Sequence, residues 1–230
     1  MEIKTNEEIE KLKKSSKLAD DCYEYICNEI KIGMTEIEIA EKMKSYFLEH
    51  GASDVSFDLI VGSGVNSSQI HSTPTERKIE YGDLIQLDFG CILDGYCSDC
   101  SRVVFIGEIK PQYKYIYDIV YSAQIAGIEK FEENMTASQV DALSRDVIKA
   151  RGYDFEHAVG HAVGTKVHEK PVISFKNTEA IIKDNMCITI EPGIYIKDEF
   201  GIRIEDTCIV ENGKLIPLNK TSKEIKILNA

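Results

Sequence analysis

Two aspartates, two glutamates and a group of histidines carry most of the chemical capacity of this sequence. In LDFGCILDGYCSDCSR, Asp88 and Asp99 flank Asp94-Gly95, a dipeptide suited to the positive-φ positions of a two-residue hairpin. If Leu93 faces Tyr96, the register sets Gly90 opposite Asp99, and Asp88 shares that face because strand side chains alternate with a period of two. The two carboxylates then become diagonal cross-strand neighbours, roughly 7 Å apart at the backbone, able to converge on one cation. Like charges lined up on one face of a sheet bring a structural protein no gain, so a metal or an acid/base task explains them better.

Histidine supplies the second signal. Of five in the chain, His157, His161 and His168 fall within twelve residues, His71 precedes the hairpin, and His50 stands apart. The stretch HAVGHAVGTKVHEKP is not HExxH, and Gly160 and Gly164 argue against a helical zinc pair. Further on, Glu191 and Glu205 each end or enter a strand-like run, and GIYIKDEFG between them suits a second hairpin that brings both to one face. Four carboxylates and one imidazole suit a pair of harder divalent ions such as Mn²⁺ or Co²⁺ better than a thiolate zinc site.

The elements that must position these groups repeat. Ile9, Leu12, Ala19, Cys22 and Ile26 form the apolar stripe of a helix within residues 5–30, and a second helix runs from a Thr35 cap to Gly51. LIQLDFG, SRVVFIG, MCITIE and TCIVENG read as strands. A helix over 113–132 puts Ile116, Val120, Ala123 and Gly127 on one face, and another starts at Met135-Thr136 and ends at Gly152. Met34, Thr35 and Gly51 thus recur as Met135, Thr136 and Gly152, displaced by 101 residues, which predicts a duplicated helix-helix-strands unit with a cleft between the copies.

Composition removes other classes. The 230 residues, 43% hydrophobic and without low-complexity segments, suffice for one large domain with its own core. A net charge of -12 without a Lys/Arg cluster excludes nucleic acid and anionic membrane surfaces as natural partners. MEIKTNEEIEKLKK has no signal-peptide core and no long apolar run follows, so a soluble, cytoplasmic protein is expected. Seven irregularly spaced cysteines fit reduced core thiols, and the Cys97/Cys100 pair lacks the second pair a zinc site needs. DFG stands without a kinase catalytic loop, and VGSGVNS lacks the third glycine of a dinucleotide site.

The ordered set Asp88, Asp99, His161, Glu191 and Glu205, with HS-P-R before LDFG, GH-x-x-G before VHEKP, then EPGIY and IRIED, resembles the pita-bread metallopeptidases over essentially the whole chain. That family spans methionine aminopeptidases, Xaa-Pro aminopeptidases and prolidases, creatinases and non-catalytic binding relatives. The resemblance implies an α+β fold of pseudo-twofold duplicated units around a curved antiparallel sheet, here one domain over 1–230 with halves of about 1–110 and 111–230. IHSTPTERKIEYGDLIQLDFG and HAVGHAVGTKVHEKP, with His157 four residues before His161, are most similar to the Xaa-Pro branch, whose usual N-terminal domain is not expected within these 230 residues. Ala162 departs from the usual GHG.

By that resemblance Asp88 ligates one divalent ion, His161 and Glu191 the other, and Asp99 and Glu205 bridge them. Mn²⁺ or Co²⁺ is expected, with Zn²⁺ or Fe²⁺ as alternatives. His71, His157 and His168 line the substrate cleft, Tyr195 and Arg203 support the site, and Glu191 shuttles a proton. The implied reaction cleaves the bond between an N-terminal residue and proline, in a protein that can form a homodimer. Removal of N-terminal methionine and non-catalytic peptide binding are the alternatives.

Overall fold

The computed structural model describes residues 3–229. Thr5 starts α1 (Asn6–Glu29) with a reciprocal cap, its side chain accepting from the Glu8 amide while Glu8 accepts from the Thr5 amide at 2.7 Å. The same box opens α2 (Glu36–Glu49) from Thr35 and α4 (Ala137–Lys149) from Thr136. By contrast α3 (Pro111–Glu129) begins on a proline, whose missing N–H is no loss in the first turn. It starts at that proline, ahead of the apolar stripe, and ends at Glu129, short of residue 132, with Ile116, Val120, Ala123 and Gly127 all buried on it.

Between the helix pairs run β1 (Asp54–Val55), β2 (Ile60–Ser63), a 3-10 turn over Gly64–Ser68, β3 (Leu84–Phe89), β4 (Cys91–Leu93), β5 (Tyr96–Cys97) and β6 (Cys100–Ile106). After α4 follow β7 (Gly160–Ala162), β8 (Glu169–Ile173), β9 (Cys187–Ile190), β10 (Gly193–Ile196), β11 (Phe200–Arg203), β12 (Glu205–Glu211), β13 (Lys214–Pro217) and β14 (Lys226–Leu228). The main sheet has the order β2-β3-β6-β12-β9-β7-β8, with β13 on β12 and β14 on β6. Its pairings are antiparallel except β14, which lies parallel to the far end of β6. The halves meet at the middle, where Glu205 of β12 lies opposite Ser101 of β6.

The helices cover one side of this sheet. Ile26, Ile39, Met43 and Phe47 pack with Val61, Leu87 and Phe89, while Val120, Ala123, Val140 and Ile148 pack with Ile188, Ile190 and Val210. The central strands β3, β6 and β9 are buried along their whole length, so their second face is covered as well. The two terminal strands of the order, β2 and β8, border a single cavity through Ile60 and through Glu169 and Val172. The sheet therefore curls around that cavity. The seven cysteines are buried free thiols, as core residues.

Behind the cavity, Arg102 is 1% exposed and ties β6 to β12 and to the C-terminal segment, donating to Asp206 Oδ1 at 2.6 Å, to the Thr221 carbonyl at 3.1 Å and to the Glu205 carbonyl. Lys223 and Gln124 complete the shell of Asp206. Breaking a buried ion pair costs about 3–5 kcal/mol, and without Arg102 the Glu205 and Thr221 carbonyls also lose a donor while Asp206 keeps only Lys223 as a charged partner. Arg102→Met is therefore expected to lower unfolding stability by about that amount in urea titrations. A loss below about 1 kcal/mol, the size of a surface pair, would contradict this reading of the network.

Candidate active site

The hairpin register places the first two carboxylates. Leu93 faces Tyr96, Phe89 faces Cys100, and Asp88 faces Ser101, so Asp99 is the diagonal neighbour of Asp88 across β3 and β6. From the second half, Asp206 pairs with Ile190, which brings Glu205 and Glu191 to the next opposed positions of β12 and β9. The GIYIKDEFG hairpin forms, as β10 against β11, and its Gly193–Arg203 pair continues the register of β9 and β12, so it closes the ladder that sets Glu191 opposite Glu205 and also carries Tyr195 and Arg203. His161 stands on β7, whose Ala162 pairs with Ile188 of β9.

These strands deliver the side chains to one place. The ligand atoms of Asp99, His161 and Glu205 all lie within 4.8 Å of one another. His161 Nε2 is 3.5 Å from Asp99 Oδ2 and 3.4 Å from Glu191 Oε1. Its Nδ1 lies 3.2 Å from the Ala162 carbonyl, which only accepts, so the ring proton sits there and the Nε2 lone pair faces the carboxylates. Thr189, on β9, donates to Glu191 Oε1 at 3.1 Å. Asp88 Oδ1 is buried without a hydrogen-bond partner among the described residues, an arrangement that suits a cation ligand.

One guanidinium organises the rest. Arg203 donates through Nη2 to Asp88 Oδ2, through Nε to Ser101 Oγ at 3.0 Å, and through Nη1 to Tyr195 Oη at 2.7 Å and the Ile70 carbonyl at 3.1 Å. Ser101 in turn donates to Glu205 Oε2 at 2.9 Å. Gln86, two residues before Asp88, fixes the Arg203 backbone by accepting from its amide at 2.7 Å. Tyr195 donates to His157 Nε2 at 3.2 Å, and His157 Nδ1 faces the Ala158 carbonyl at 2.7 Å. Burial, aided by the Arg203 charge, pushes the His157 imidazole down to about 3, so the ring that accepts from Tyr195 is neutral.

Crowding of acids shows in their protonation. Burial first, then the neighbouring carboxylates, raises Asp99 and Glu205 well above the usual carboxylate range, and burial pushes Glu191 up to about 7. An oxygen-rich donor set that resists carrying its own negative charge matches one or more divalent cations.

The cavity above these groups encloses about 1000 Å³. His71 and His168 stand on its exposed rim and His157 deeper in its wall; the His168 ring meets that of His161 edge-on at 4.4 Å. Nine of the ten residues singled out in the sequence thus line one cavity, and the tenth, Tyr195, is tied to it through its hydrogen bonds with Arg203 and His157. Ser101, Thr189 and Gln86 join them without a sequence signal, being ordinary polar residues inside strands.

The model for metallopeptidase family M24 matches residues 10–212. An uncharacterized peptidase, YqhT of Bacillus subtilis, is 42% identical over 229 residues, covering 98% of this chain and 64% of its own. Among solved structures, an Xaa-Pro dipeptidase from Bacillus anthracis superposes with a TM-score of 0.96 at 39% identity, covering 98% of this chain and 64% of that one. An X-Pro aminopeptidase from Thermotoga maritima gives 0.94 at 35% identity, again covering 98% and 64%. This chain thus spans just under two thirds of the length of these relatives. With that match across sequence and pita-bread architecture, the chain belongs to metallopeptidase family M24.

Proposed function

We propose that this chain is the catalytic part of a metal-dependent exopeptidase that hydrolyses the bond between an N-terminal residue and proline. The observation that carries this is the meeting of Asp99, His161 and Glu205 within 4.8 Å, with Glu191 and the unpartnered Asp88 Oδ1 beside them on the floor of a peptide-sized cavity. The relatives named for Xaa-Pro and X-Pro substrates favour proline over methionine specificity. Asp88 would hold one cation, His161 and Glu191 a second, and Asp99 and Glu205 both, with Mn²⁺ or Co²⁺ best suited to the oxygen-rich set. When bound, such a pair supplies the charge that polarises the scissile carbonyl and makes a water nucleophilic near neutral pH.

The chain's own groups do the rest. Glu191, oriented by Thr189, takes the proton of the attacking water and returns it to the leaving imino nitrogen, which must be protonated before proline departs. His71 or His168, on the rim, donates a hydrogen bond to the developing oxyanion. His157, held neutral between Tyr195 and Ala158, borders the substrate, and the Arg203 contacts keep Asp88, Tyr195 and Glu205 in fixed relation.

The protein loaded with Mn²⁺ or Co²⁺ is expected to cleave Ala-Pro or Ala-Pro-Ala and to lose that activity on chelation, read by mass spectrometry. Release of methionine from Met-Ala-Ser with both proline peptides intact would move it to the methionine branch. Calorimetric titration showing no Mn²⁺ or Co²⁺ uptake, with no cleavage, would leave a binding module.

Glu191→Gln keeps the side-chain volume and removes the proton acceptor. Loss of about 10²–10⁴-fold in kcat is expected in the folded, metal-supplemented variant. Turnover within a few-fold of the unsubstituted protein would eliminate Glu191 as the shuttle.

A further inference from the structure

Glu36 opens α2 yet is 0% exposed, and nothing in the reaction above uses it. Its carboxylate accepts from Ser63 N and Ser63 Oγ, both at 2.6 Å, from Asn66 Nδ2 at 3.0 Å, and from Thr75 N at 3.0 Å and Thr75 Oγ1 at 2.7 Å. The side chain therefore ties together the two ends of the segment between Ser63 and Thr75. Ile70, His71, Ser72, Thr73 and Pro74 in that segment line the cavity. On its other side the segment is pinned by β11, where Gly201 N donates to Ser67 Oγ at 2.9 Å and Arg203 to the Ile70 carbonyl.

The duplicated half provides an internal comparison. Thr35 and Thr136 cap equivalent helices, and each forms an isolated bridge to the returning chain, at Lys78 and Ile181. The amides of residues 36 and 137 donate to the Arg77 and Ala180 carbonyls, and those of Ile37 and Ser138 to the Thr75 and Asn177 carbonyls. The backbone docking is thus shared, but the residue equivalent to Glu36 is Ala137. A buried carboxylate is not needed to seat the returning chain on the helix. What the first half adds is a hold on the loop that carries His71.

We propose that Glu36 is a positioning residue that fixes the 64–74 loop and so sets His71 over the cavity; the catalytic part of this inference rests on the proposed Xaa-Pro cleavage. Filling the site with an amide would turn an N–H₂ toward donors that need acceptors, leaving buried groups unsatisfied and the loop loosened.

The test compares the full chain with Glu36→Gln, His71→Ala and the double variant, all supplemented with Mn²⁺. Glu36→Gln is expected to leave the calorimetric Mn²⁺ titration unchanged, to speed amide hydrogen exchange across 64–75, and to lower kcat/KM for Ala-Pro or Ala-Pro-Ala by up to about 10²-fold. In the His71→Ala background the same change should add less than about twofold, since coupled residues do not sum. Unchanged exchange across 64–75, or a full-sized activity loss that persists without His71, overturns the proposal. If Glu36→Gln does not fold, Thr75→Val removes one donor to the carboxylate and carries the same expectations. Should the unsubstituted protein cleave no Xaa-Pro peptide, the functional reading fails, and the exchange experiment decides by itself whether Glu36 holds the loop.

Discussion

Asp88, Asp99, Glu191 and Glu205 share one cavity, and at an effective dielectric near 20 each pair of full charges 4 Å apart repels by about 4 kcal/mol. Arg203 supplies one positive charge against them and spends it mostly on Asp88. Burial first, and then this remaining repulsion, shift Asp99, Glu205 and Glu191 upward, toward the protonated forms. Divalent cations would relieve it more completely, since they stabilise the charged forms that protonation removes. The arrangement is therefore costly for a protein that binds nothing there and favourable for one that binds metal.

Holding such a cluster requires a frame stiffer than the repulsion. It comes from the middle of the sheet, where Asp88, Ser101 and Glu205 lie in one row across β3, β6 and β12. Ser101 is small enough to sit between the two acids, and its hydroxyl accepts from Arg203 while donating to Glu205. Directly behind, Arg102 holds the Glu205 carbonyl and the Asp206 side chain, so alternate residues of β6 serve opposite faces. The period of two lets one strand bear the cavity on one side and a buried ionic network on the other.

Much of this frame was legible in the sequence because it depends on local rules. The Asp94-Gly95 turn fixes the register that aligns Asp88 with Asp99, and Asp94 and Gly95 do take positive φ, 51° and 79°. The Thr caps and the 101-residue offset marked the duplicated helices. What escaped were contacts between segments far apart in the chain: Gln86 with Arg203, Ser101 with Glu205, Glu36 with Thr75. The GIYIKDEFG hairpin was legible for the same local reason as the Asp94-Gly95 turn: its register runs on through β9 and β12 and sets Glu191 opposite Glu205. Tyr195 and Arg203 entered only through family resemblance, since neither residue type nor spacing marked them.

Gly160 shows how one residue can be read correctly for an incomplete reason. Its poor helix propensity argues against a helical histidine pair, yet a Cβ there would lie 2.0 Å from the Thr189 carbonyl oxygen. The glycine lets β7 approach β9 closely enough for the His161 amide to reach Thr189 Oγ1 at 3.1 Å, while that hydroxyl donates to Glu191. His161 and Glu191 are thereby set by one threonine, and the close approach that requires glycine brings an imidazole within 3.4 Å of a carboxylate. Gly90 does the corresponding work in the first half, where a Cβ would lie 1.9 Å from the Ser98 carbonyl oxygen, beside Asp99. In both halves, strands that carry charged groups pack closely because the residue next to the charge has no side chain.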